Sequence, residues 1–183
     1  MLTEAYGLSD SSINLTYSVN LLATLVMGIP SNFIINRIGF RNACLLSGLI
    51  MTLGTALRLT VNFNLNGVYA GQVLLGSAGP LVQNSIFFFA HHTFAKESAP
   101  VGLAVISLMN PIGTMIGFLL PYAFINTNDS SENIKTQNFL YMLVEFGLSA
   151  ALLLFSILGL PKAHKEKAEV QQGTIASSPS EEK

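Results

Sequence analysis

The chain has 183 residues, 50% apolar and 10% charged, with a formal net charge of -1; a typical soluble domain is about a quarter charged. Near-neutral charge argues against a nucleic-acid partner, which needs a basic face, and a lone cysteine, Cys44, leaves no disulfide framework or cysteine-based metal site. Mean hydropathy is +0.52, and the apolar residues fall in blocks rather than along one 3.6-residue face, so the predicted fold class is all-α, a polytopic membrane protein.

Residues 1–13 are polar and lack the basic region and apolar core of a cleavable signal peptide. Five spans follow, at about 14–36, 42–62, 67–91, 101–124 and 138–160, each of the ~20 residues that a hydrocarbon core of about 30 Å requires. A tight basic turn, Asn36-Arg37-Ile38-Gly39-Phe40-Arg41-Asn42, joins the first two. The third and fourth are separated by the polar break from His91 to Pro100 and form a helical hairpin. Both carry glycines and prolines, which membrane helices tolerate because neighbours re-satisfy the backbone. Residues 161–183 are polar and Ser- and Glu-rich, a composition that predicts a disordered tail or a linker.

Orientation follows from basic residues, whose excess marks the cytoplasmic side. Arg37, Arg41, Lys96, Lys162, Lys165, Lys167 and Lys183 fall on one side, Arg58 and Lys135 on or near the other. The expected topology has the start of the chain outside and its end in the cytoplasm, in the plasma membrane or an organelle membrane. Two glycosylation patterns, at Asn14 and Asn128, fall on the outer side.

Polar residues inside the spans form stripes. At 100° per residue, Ser107, Asn110, Thr114, Gly117 and Pro121 lie within about 80° of one another on the fourth span, and Gln72, Gly76, Gly79 and Gln83 within about 60° on the third. Uncharged polar groups in hydrocarbon need partners, so these stripes face either protein or a watery cavity. Gly71, Gly76, Gly79, Gly113 and Gly117 are assigned to helix packing; Ser107, Asn110, Pro111, Thr114, Gln83 and Asn84 are the cavity candidates. Two charges also lie within spans, Arg58 and Glu145. Arg58 is expected either to snorkel outward or to pair with Glu145 at similar depth, while proton coupling by Glu145 is the functional alternative. His91-His92 stands beside Lys96 without further ligands, so solvated interfacial histidines are expected and no metal is predicted. The run Phe87-Phe88-Phe89 suits lipid or core equally. No catalytic set or nucleotide loop appears, and neither enzyme activity nor a cofactor is expected.

The turn Asn36-Arg37-Ile38-Gly39-Phe40-Arg41 resembles the cytoplasmic signature of the major facilitator superfamily between its second and third helices, with Asn36 where an aspartate is usual. The resemblance assigns Asn36, Arg37, Gly39 and Arg41 to a cytoplasmic gating motif. Leu53 to Arg58, Gly71-Gln72, Thr93-Phe94, Asn110-Pro111-Ile112-Gly113 and Gly117 to Pro121 are similar to the feline leukaemia virus subgroup C receptor-related branch, known as choline and ethanolamine transporters and discussed as haem exporters. The similarity covers roughly residues 6–160. It implies helices 2 to 6 of an N-terminal bundle, working by alternating access on a small organic solute together with a first helix and a C-terminal bundle. Two positions depart from the branch: Pro111 replaces the glutamine of Gly-Asn-Gln-Leu-Gly, and Thr93 replaces a tryptophan. The alternative is a non-transporting membrane subunit, receptor or scaffold.

Overall fold

The computed structural model describes residues 6–93, 98–126 and 129–159. Five long helices make up nearly all of it. Helix α1 spans Asp10–Ile38. Ser9, extended at φ -75°, starts it by accepting the Ser12 amide at 3.3 Å, and Asp10 in the first turn complements the helix dipole. The helix therefore begins about one turn before the apolar block, because the cap lies in the polar segment.

Gly39 is the whole connection to the next helix. Its φ of 80° and ψ of 164° are open only to glycine, and its amide still donates to Ile35 O at 2.8 Å. Helix α2, Phe40–Arg58, follows at once and runs on into a 3-10 turn, Leu59–Asn62. Asn64 then accepts the Asn66 amide at 2.9 Å at the start of α3, Leu65–Thr93. Helix α4 is Ala99–Phe124, with Pro100 in its first turn, where the missing N–H costs nothing. Helix α5 is Ser131–Gly159, with Glu132 in its first turn.

Helix α3 lies between α1 and α2, α5 packs on α2, and α4 rests lightly on α3 and α5. The apolar core sits where the first three meet, at Ile35, Ala43 and Leu81, with Ile34, Ile38, Leu46, Ile50 and Phe88 around it. Of the phenylalanine run, Phe88 thus joins the core, and Phe89 stacks on Phe40 at 5.0 Å.

Among the described residues, four helices are long and apolar enough to cross a membrane: Asp10–Ile38, Phe40–Asn62, Pro100–Phe124 and Ser131–Gly159. Helix α3 holds Gln72, Gln83 and Asn84, and its neighbours cover Val68, Gly71, Gly76, Ala78, Pro80, Leu81 and Ser85. Its central place accounts for these amides. A helix covered by other helices can carry amides that one facing lipid cannot. Large apolar side chains point outward instead, such as Leu25, Ile29 and Phe33 on α1 and Phe155 and Leu158 on α5.

Candidate functional site

Glycine lets two pairs of backbones touch. A Cβ on Gly71 would stand 2.6 Å from the Gly54 carbonyl oxygen, and one on Gly76 would run into Asn20 O. Gly71 and Gly76 therefore sit at the α3–α2 and α3–α1 crossings. Gly79, Gly113 and Gly117 have nothing within 4 Å of such a Cβ among the described residues, so the structure places them at no crossing. Gly54, their counterpart on α2, entered the sequence reading only within the Leu53 to Arg58 resemblance and was given no packing role.

The α1–α3 seam is closed by polar groups from end to end. Tyr69 donates its hydroxyl to Ser12 O at 3.1 Å. Asn20 Nδ2 donates to both Gln72 O and Gln72 Oε1 at 3.2 Å. The Thr24 hydroxyl reaches Gly76 O at 3.1 Å, and Asn84 Nδ2 donates to Ser31 Oγ at 2.6 Å. Asn84 is thereby turned into the seam, away from any cavity on α4, and Gln83 is exposed on another face of α3. Asn20, Thr24 and Ser31 were invisible as partners from spacing alone, since their significance depends on which helix faces them.

The α2–α5 seam carries the charges. Arg58 Nη1 donates to Glu145 Oε2 at 2.6 Å, with the two side chains 15% and 24% exposed, and the Tyr141 hydroxyl donates to Glu145 Oε1 at 2.5 Å. Of the two arrangements open to Arg58, the structure holds the pair. One turn away, the Thr55 and Ser149 hydroxyls meet at 2.8 Å. At the end of the bundle where α2 stops and α5 starts, Tyr6 donates to Asn62 Oδ1 at 3.2 Å and accepts from Asn138 Nδ2 at 3.0 Å, with Lys135 over its ring. Tyr141 could have been found in sequence, being four residues before Glu145 and so on the same helix face.

Helix α4 is different, since none of its residues from Pro100 to Phe124 is buried. Asn110, Pro111, Thr114, Met115, Phe118 and Leu119 line a shallow, open hollow of about 530 Å³. Its walls are apolar apart from one amide and one hydroxyl, and that hydroxyl, Thr114 Oγ1, donates back to Asn110 O at 2.9 Å. The Asn110 amide is thus the side chain of this hollow placed to donate to a ligand, while Thr114 Oγ1 keeps lone pairs that can accept. Ser107 lies one turn from it on the same helix, also exposed.

At the opposite pole, Asn36 and Arg37 are exposed in the last turn of α1 and Arg41 is half-buried in the first turn of α2, with Gly39 between them. A cation in the last turn of α1 favours the carbonyl end of its dipole. Asn14 lies within α1, whose next turn begins where Ser18 donates to Asn14 O at 3.0 Å; that is a helical position, unlike the surface loop a glycan acceptor occupies. Asn128, the 161–183 tail, and the side chains of His91 and His92 lie outside the described residues.

Long apolar helices, polar groups paired across the seams, and a hydrocarbon exterior define a multi-pass integral membrane protein. The sequence model of the Major Facilitator Superfamily matches residues 1–180, and the chain belongs to that family of transporters. Two similar proteins are both named solute carrier family 49 member 4 homolog. The one from Xenopus laevis is 30% identical over 102 residues, 52% of this chain and 22% of its own length. The one from Xenopus tropicalis is 28% identical over 147 residues, 72% of this chain and 32% of its own length. These relatives agree with the branch resemblance read from the sequence, and the chain spans about a third or less of their length. No solved structure matches the chain.

Proposed function

We propose that the chain supplies part of a secondary transporter of small organic solutes, with residues 14–160 forming helices 2 to 6 of an N-terminal bundle. The α4 face is one wall of the solute path, opposite a second bundle, and the two rock to open the path to one side at a time. The observation that carries this reading is the Asn110 amide, exposed in an apolar hollow on the helix that buries nothing. An amide on a helix facing hydrocarbon costs free energy, whereas one facing a watery path costs little and can bind.

Choline- or ethanolamine-like amines are the first substrate class and haem the second, on branch resemblance. The hollow offers no acid, so an ammonium group would be met there by the Phe118 ring and the Asn110 carbonyl. In this arrangement Asn36, Arg37, Gly39 and Arg41 form the cytoplasmic gating turn, the start of the chain faces outward, and its end faces the cytoplasm.

The test is uptake of labelled choline and ethanolamine by cells expressing the full-length gene, beside Pro111→Gln and Asn110→Ala versions at matched surface expression. Uptake that Asn110→Ala lowers by about tenfold, the worth of one or two lost hydrogen bonds, supports the reading. Uptake that appears only with Pro111→Gln assigns specificity to that position. Uptake indifferent to both substitutions moves the path off α4.

A further inference from the structure

Among the described residues, polar rungs cross the α2–α5 seam at three levels, and they are not built alike. Thr55 meets Ser149 and Arg58 meets Glu145 directly, helix to helix. The rung nearest the end, Asn62 with Asn138, is completed by a residue of neither helix. The Tyr6 hydroxyl donates to Asn62 and accepts from Asn138, and Lys135 Nζ stands 5.6 Å from the centre of the Tyr6 ring. Asn138 is 5% exposed, so this hydroxyl satisfies an amide that water scarcely reaches. Between Tyr6 and Ser9, the cap of α1, stands Gly7 at φ 63°, a left-handed turn that favours glycine. The chain thus passes from α1, which packs on α3, across to the α2–α5 seam.

We propose that Tyr6 is a strap that seals this end of the α2–α5 seam against water, and so keeps the Arg58–Glu145 pair in a medium where its attraction is strong. Asn138, Met142 and Glu145 follow at i, i+4 and i+7 on one face of α5. Glu145 therefore lies about 10 Å deeper along the axis than the strap, with Met142 between them. Met142 is itself buried. Without the Tyr6 hydroxyl the Asn138 amide loses its acceptor, and the water that replaces it enters at the head of this face. The seal involves no residue of α4 and holds whichever solute is carried.

The test is the rate at which Met142→Cys reacts with a sulfonated maleimide, in the purified full-length protein in nanodiscs with Cys44→Ser and any thiol elsewhere likewise replaced. The reagent is charged and attacks the thiolate, so it reports where water reaches. Adding Tyr6→Phe, which keeps the ring beside Lys135 and removes the hydroxyl, should raise the rate about tenfold, because local opening is set by the bonds that resist it. Gly7→Val should raise it as well. Nothing among the described residues lies within 4 Å of a Cβ there, so the injury is to a backbone turn that a β-branched residue does not adopt. Ser149→Cys, deeper than the ion pair and also buried, should react slowly with and without both substitutions. An unchanged rate at Met142→Cys in the Tyr6→Phe protein would overturn the proposal. An equal rise at Ser149→Cys would overturn it too, since Tyr6 would then hold the bundle as a whole and not seal one end of a seam.

Discussion

The seam between α1 and α3 and the outward face of α4 carry similar side chains, asparagine, serine, threonine and glycine, and use them in opposite ways. In the seam each amide has found a backbone or hydroxyl on the facing helix, as Asn20 has with Gln72 and Asn84 with Ser31, and Gly76 lets the chains close to touching distance. On α4, Asn110 is exposed, and among the described residues nothing lies within reach of a Cβ at Gly113 or Gly117. Small polar residues in a membrane helix therefore do not by themselves distinguish packing from binding. What distinguishes them is whether a second helix supplies the complementary group.

The contrast is broken most severely at glycine. Replacing Gly71 or Gly76 by Val should be the most damaging change, because the atoms its Cβ would meet, Gly54 O and Asn20 O, are backbone and cannot swing aside. A loss of about 3 kcal/mol, the upper part of the overpacking range, would read as aggregation or a lowered melting temperature of the purified full-length protein. Gly117→Val, with open space around it, should leave melting unchanged; equal damage at both sites would remove the distinction between seam and face. Next in size is the charge pair. Arg58→Leu or Glu145→Leu alone strands a charge within the bundle and should cost about 2–3 kcal/mol. The double substitution should recover most of the loss, since an apolar pair of similar volume replaces an ion pair without penalty. Recovered folding with recovered uptake assigns the pair to architecture, and recovered folding with uptake abolished would make Glu145 a coupling group.

The sequence made the helices legible because hydrocarbon imposes one condition, an apolar run of sufficient length, and α1, α2, α4 and α5 meet it. The run that becomes α3 was legible in the same way, and its amides stand on a helix that other helices cover. The Arg58–Glu145 pair was legible from depth alone, because two opposite charges in an apolar layer have few other places to go. The partners of Gln72 and Asn84 were not, because a helical stripe gives a direction but not the identity of the helix it meets. Asn84 shared a region with Gln83 in sequence, yet a single step of 100° sends one into the seam and leaves the other exposed.

The finest test of the contrast uses the same substitution in both regions. Asn84→Ala removes an amide that donates to Ser31 Oγ at 2.6 Å, and it leaves a hydroxyl that still donates to Gly28 O at 2.8 Å. Because Ser31 keeps that second bond, no buried donor is orphaned, and the cost should be about 0.6–1 kcal/mol, the usual worth of an interhelical bond in a membrane. Asn110→Ala removes an amide with an exposed side chain from the α4 hollow and should change thermal stability by less than about 0.5 kcal/mol. Melting curves of the purified full-length protein separate the two, and uptake should separate them in the other direction, falling for Asn110→Ala and holding for Asn84→Ala at matched surface expression. If Asn110→Ala proves the more destabilising, its amide is bonded in the whole protein, and the α4 face is a packing surface of the same kind as the α1–α3 seam.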